Sequence, residues 1–102
     1  MSHRRLVRVA PSFFDRLDEL LPSERSAAGT PSATDFLLHD LPPILDRLAE
    51  DYESSTLAVP SLPGVRVLIT AGALVPSVAV YTVVAADRAV EIVYLELDDL
   101  RG

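Results

Sequence analysis

The chain has 102 residues, nine of them basic and fifteen acidic, with no cysteine and a net charge of −6. At 11.1 kDa it is too short for two cores, so residues 1–102 are read as a single domain. The missing cysteine excludes disulfides, thiolate nucleophiles and sulfur-ligated metals, and an acidic balance with a pI near 4.7 argues against DNA binding and against generic binding to RNA. With 49% hydrophobic and only 24% charged residues, so small a domain has more apolar surface than it can hide. Contiguous leftover apolar surface in a soluble protein is normally a binding patch, so a partner polypeptide or self-association is expected.

In chain order, Leu6 to Val9 reads as a short β opening ended by Pro11. Ser12 is the expected cap of a first helix, with Asp15 at the capping-box distance. Phe13, Phe14, Leu17, Leu20 and Leu21 form its apolar stripe, and Pro22 stops it. Residues 22–33 read as a mobile loop. Thr30 before Pro31 marks the next helix start, and the Pro42-Pro43 pair is expected to break or kink that helix. A fresh helix over residues 42–53 follows, capped by Asp40, with Ile44, Leu45, Leu48 and Tyr52 on its buried side.

Strand patterning takes over after residue 55: Leu57 to Val59, Val65 to Thr70, Val78 to Ala85 and Val90 to Leu97. Val67 to Ala86 is a run of twenty residues without a charge, the minimum for a membrane span. Its Gly72, Pro76 and β-branched content predict instead two strands joined by a turn at Ala71 to Ser77, and no membrane association. The turn at Ala86-Asp87-Arg88 makes the last two strands a hairpin. Val90, Ile92 and Tyr94 alternate with Glu91, Val93 and Leu95, which leaves both faces of the final strand largely apolar and in need of cover. No secretory leader is read after Arg4, Arg5 and Arg8, so a cytoplasmic protein is expected.

Polar groups give little that is specific to a chemistry. His39 has no spaced second ligand and reads as a surface imidazole beside Asp40; His3 lies near the terminus. Asp46 with Glu50, and Glu96 with Asp98, could each hold a divalent cation or move a proton, but a solvated helix face with Arg47 paired to Asp51 is the simpler account. The four glycines show no phosphate-binding grouping. No metal and no cofactor is expected.

Two stretches resemble the RelE/ParE superfamily of toxins from type II toxin-antitoxin pairs. Val7-Arg8-Val9-Ala10-Pro11 leading into Phe13-Phe14-Asp15-Arg16-Leu17 resembles that family's opening strand and helix. Leu62-Pro63-Gly64-Val65-Arg66-Val67 resembles the approach to its central strand, and the segments starting at Val78 and Val90 resemble its paired final strands. The resemblance implies an α+β domain, with an N-terminal strand and helices packed on one face of a small, mainly antiparallel sheet. It also implies a growth-inhibiting, toxin-like protein that binds a small antitoxin, with gyrase a more plausible target than mRNA. The alternatives are a non-toxic interaction module or homodimer, and a ribosome-associated mRNA endonuclease using Arg66, Arg88 and Tyr94 around a phosphate. The family's usual basic RNA-cleaving set is missing where this chain has Leu95-Glu96-Leu97-Asp98-Asp99. Arg66, Tyr81, Val93, Leu95 and Leu97 are the residues expected to meet the partner.

Overall fold

In the computed structural model, which describes residues 4–27 and 29–97, every expected strand and helix region is occupied by a strand or helix. The order is β1 (Val7–Val9), α1 (Pro11–Leu20), a short α2 (Ala33–Asp35), a π-helical turn (Phe36–Asp40), α3 (Leu41–Ser55), β2 (Leu57–Ala58), β3 (Arg66–Thr70), β4 (Val78–Val84) and β5 (Val90–Leu97). The five strands form one sheet in the order β1-β5-β4-β3-β2. Only the β1 and β5 pair is parallel; the other neighbours run antiparallel. The architecture is therefore α+β, with a mixed sheet.

The twenty-residue uncharged run is β3, a loop over residues 71–77 and β4, and among the described residues no helix is long and apolar enough to cross a membrane. The hairpin turn closes with the Arg88 amide on the Ala85 carbonyl at 2.9 Å, and Arg88 itself has φ 71°.

Helix α1 differs from expectation at its start. Its N-cap is Ala10, Pro11 holds the first turn, and no side chain caps it. Ser12 and Arg16 are used elsewhere. Strand β1 covers the edge of β5 only as far as Ile92, so the next carbonyls would stand unpaired; the Ser12 hydroxyl donates to Val93 O at 2.7 Å and Arg16 Nε to Leu95 O at 3.0 Å. Side chains of α1 thus seal the remaining edge of the strand. On the stripe, Phe13, Leu17 and Leu21 are buried, while Phe14 is 42% exposed.

The second helix begins at Ser32, not at Thr30. Ser32 and Asp35 form a reciprocal capping box, and Arg25 grips the Asp35 carboxylate with two hydrogen bonds of 3.1 Å. That pair ties the 22–33 loop to the helix, and its hydrogen bonds hold the Asp35 carboxyl down at about 2. The proline pair does not end the helical path. A wider π turn closes with the Leu41 amide on Phe36 O, and Pro42 and Pro43 follow it in the first turn of α3.

Asp40 does not cap α3. Buried to 2% exposure, it turns to the β3–β4 loop and accepts from the amides of Leu74 at 2.8 Å and Val75 at 3.0 Å. Gly72 lies so close that a Cβ there would stand 2.6 Å from both Asp40 Oδ2 and Val75 O. The helices cover one face of the sheet, where Leu68, Val78, Val80, Val90, Ile92 and Leu95 join Phe13, Leu17, Phe36, Ile44 and Leu48 in one core.

Candidate functional site

The register defines two faces of the sheet. Arg66, Leu68 and Thr70 pair with Thr82, Val80 and Val78 on the helix side; Val67 and Ile69 pair with Tyr81 and Ala79 on the other. A bulge in β5 decides the rest. Tyr81 pairs with Tyr94 but Thr82 pairs with Ile92, so Val93 is the extra residue and the alternation shifts by one. Leu95 is thereby turned into the core at 0% exposure, and Tyr94 turns out to 40%. The simple alternation expected from Val90 to Tyr94 is corrected at this point.

No helix covers the outer face. Ile69 is 59% and Leu57 63% exposed there. The chain between β2 and β3 folds partly over it, and a groove of about 340 Å³ lies between Val59, Leu62 and Val65 on one side and Tyr81, Val93 and Tyr94 on the other, with Glu96 at its rim. The tyrosine rings meet edge to face with centroids 5.9 Å apart, which fixes their orientation. The Tyr81 hydroxyl donates to Glu96 Oε1 at 2.7 Å, and this bond to a carboxylate raises the phenol's pKa. Arg16 lies 4.9 Å from the Tyr94 ring centroid, a cation–π contact that anchors the groove to α1.

A second depression, of about 680 Å³, lies where the end of α3 meets β3 and the hairpin turn, and is lined by Arg5, Tyr52, Glu53, Arg66, Val84 and Arg88. Arg66 is fixed by the end of α3: Nε donates to Thr56 Oγ1 at 2.7 Å, and Nη2 to Thr56 O at 2.9 Å and Glu53 O at 3.3 Å. A guanidinium suits the carbonyl-rich end of a helix, where the dipole is negative. The floor is a satisfied buried chain. Thr82 Oγ1 donates to Arg66 O at 3.0 Å, so the 2.8 Å bond between Tyr52 and Thr82 has the tyrosine hydroxyl as donor.

The residues expected to act together are separated by this geometry. Arg66 and Arg88 share the basic cleft, whereas Tyr94 lies in the apolar groove on the outer face. Of the five residues expected at a partner surface, Tyr81 and Val93 line the groove; Arg66 is in the cleft at the end of α3. Leu95 is enclosed in the core with no surface to offer, whereas Leu97, partly buried against the same core, also lines a depression beside Ile69 and Ala79. Val59, Leu62 and Val65 were not expected at the groove, because only the fold-back of the β2–β3 connection brings them there.

The charged pairs also differ from expectation. Arg4 bridges Asp46, at 3.2 Å, and Glu50, so these carboxylates are salt-bridged rather than poised for a cation. Arg47 donates to Thr70 Oγ1 at 3.1 Å instead of pairing with Asp51, whose φ of −147° kinks α3. Arg8 holds Asp87 and Glu91, and its bond to Asp87 lowers the pKa of that carboxyl. Asp98 lies outside the described residues, so the Glu96 and Asp98 pairing does too. Among the described residues no three His, Asp or Glu side chains form a group able to hold a metal ion.

Set against protein-family models, curated proteins and solved structures, the chain matches none. The functional reading therefore rests on the groove and the cleft themselves.

Proposed function

We propose that the chain is a toxin-like component of a type II toxin-antitoxin pair that works by protein binding, and that a small antitoxin lays an apolar segment across the outer face of its sheet. The one-sided cover of the sheet is the observation that carries this reading. Ile69, Leu57, Leu62 and Tyr94 are 40% exposed or more and lie on or around a single uncovered face. The groove beside Tyr81, Val93 and Tyr94 suits apolar side chains, and Glu96 at its rim suits a basic residue flanking them.

The element order of strand, helix, helical segments and then mainly antiparallel strands supports the RelE/ParE-like reading. A protein target, with gyrase foremost, fits better than mRNA, since Tyr94 and the Arg66–Arg88 cleft are on different surfaces and the chain carries a net charge of −6.

The test is expression from an inducible promoter, alone and with the small, charged, helix-rich product expected from the adjacent reading frame. Growth arrest alone, relief on co-expression, and co-purification of the two proteins are the predicted results. Undisturbed growth together with no co-purification contradicts the proposal. A stable homodimer at micromolar concentration on a sizing column would give the outer face to a second copy instead.

A further inference from the structure

We infer that the cleft at the end of α3 is an anion site that takes a small phosphomonoester, with Arg5, Arg66 and Arg88 as its cationic groups. Three guanidiniums share this cleft with one carboxylate, that of Glu53, in a protein whose net charge is −6. Bringing like charges together costs free energy unless an anion compensates them. Elsewhere Arg4, Arg8 and Arg25 each pair with a carboxylate within 3.2 Å, whereas Arg16 reaches Glu19 only at 3.7 Å and Arg47 bonds Thr70 Oγ1. Arg66 instead bonds a hydroxyl and two carbonyls, and among the described residues the Arg88 side chain has neither a hydrogen bond nor an ion pair. The Arg5–Glu53 contact is long, 3.4 Å, and the Glu53 side chain is 81% exposed, so it neutralises little.

Two of the donors are already oriented. Arg66 is fixed through Nε and Nη2, which leaves Nη1 for a ligand, and Arg5 sits 5.2 Å from the centroid of the Tyr52 ring with its backbone amide bonded to Ala49 O at 2.8 Å. The third stands at a strained position. A φ of 71° at Arg88 is a position normally filled by glycine or asparagine in such a hairpin turn, and residues held in this region cluster at functional sites.

The excess of positive charge, close to two, matches a phosphoryl dianion better than a carboxylate; Arg88 can offer its oxygens a planar fork, while Arg66 offers Nη1 alone. At about 680 Å³ the cleft exceeds what a phosphate fills, and Tyr52 and Val84 give the remainder apolar walls for an organic group. The monoester's second negative charge and its ester group are thus both used.

The experiment is titration of the full chain, followed by NMR of the backbone amides and arginine Nε–H groups, with phenyl phosphate, inorganic phosphate, dimethyl phosphate and a single-stranded RNA oligonucleotide. Phenyl phosphate is expected to saturate the arginine signals of Arg5 and Arg66, to bind at least tenfold more tightly than dimethyl phosphate, and to weaken with added salt. Tighter binding of phenyl phosphate than of inorganic phosphate locates the ester group in the cleft. Arg88→Gly, which suits the left-handed backbone there, should keep or raise the melting temperature while weakening phenyl phosphate at least tenfold. No saturable binding at millimolar phenyl phosphate, undiminished binding by Arg88→Gly, or RNA binding more tightly than the monoester would overturn the proposal.

Discussion

Leu68 and Ile69 are neighbours on β3 and equally apolar, yet one is 0% and the other 59% exposed. The strand's two-residue period sends the first under α3 and the second to a face that no helix reaches. The contrast extends across the sheet. On the helix side, even the buried polar groups are partnered: Tyr52 with Thr82, Thr82 with Arg66 O, and Asp40 with two loop amides. On the other side Val67 is buried, at 8%, but Ile69, Leu57 and Tyr94 meet solvent. The open face is the one that the proposed partner would complete.

The sharpest way to break this comparison is to truncate the two neighbours separately. Leu68→Ala should cost about 3 kcal/mol of unfolding free energy, from lost burial and the cavity left behind, and Ile69→Ala less than about 0.5 kcal/mol in the isolated chain. Urea unfolding of both variants measures the difference. Similar losses at the two positions would mean that the outer face is covered within the monomer.

The next largest effect is expected at Asp40. Asp40→Ala leaves the Leu74 and Val75 amides without their acceptor and should destabilise by about 2 kcal/mol in the same assay. Asp40→Asn should recover only part of this, because its amide offers one acceptor oxygen where the two loop amides use both carboxylate oxygens. The smallest effect concerns pH. Asp35 has its pKa lowered to about 2 by Arg25 and the capping box, so its contribution is complete above the ordinary carboxyl value. That contribution is lost as pH falls from about 4 towards the folded-state value. Amide exchange at Ser32 and Asp35, whose amides these side chains bond, should quicken over that window in the native chain and show no such step in Asp35→Asn.

Much of the fold is legible in the sequence because it follows from local patterning. The run of β-branched residues around Gly72 and Pro76 gives β3 and β4 with the loop at residues 71–77 where it was expected, and the Asp87-Arg88 turn sets the hairpin. What could not be read there depends on long-range placement. The bulge at Val93 has no glycine to mark it, and it moves Tyr94 to the surface and Leu95 inside. Asp40 looks like a helix cap beside Pro42, but a loop more than thirty residues away claims its oxygens. Arg5 and Arg88 are 83 positions apart and meet only because β1 pairs with β5, so the basic cleft has no linear signature.

The central claim, that the open face receives another polypeptide, is tested most directly by light scattering on a sizing column. The sample is the chain mixed with the small product of the adjacent reading frame, in the native sequence and as Leu62→Asp. Leu62 is half-exposed at the groove, so an aspartate there should leave the fold intact while placing a charge beneath any apolar segment. The account predicts a defined complex for the native chain and two separate species for the variant. A native chain that elutes as a monomer beside its neighbour, or a complex indifferent to Leu62→Asp, would contradict it.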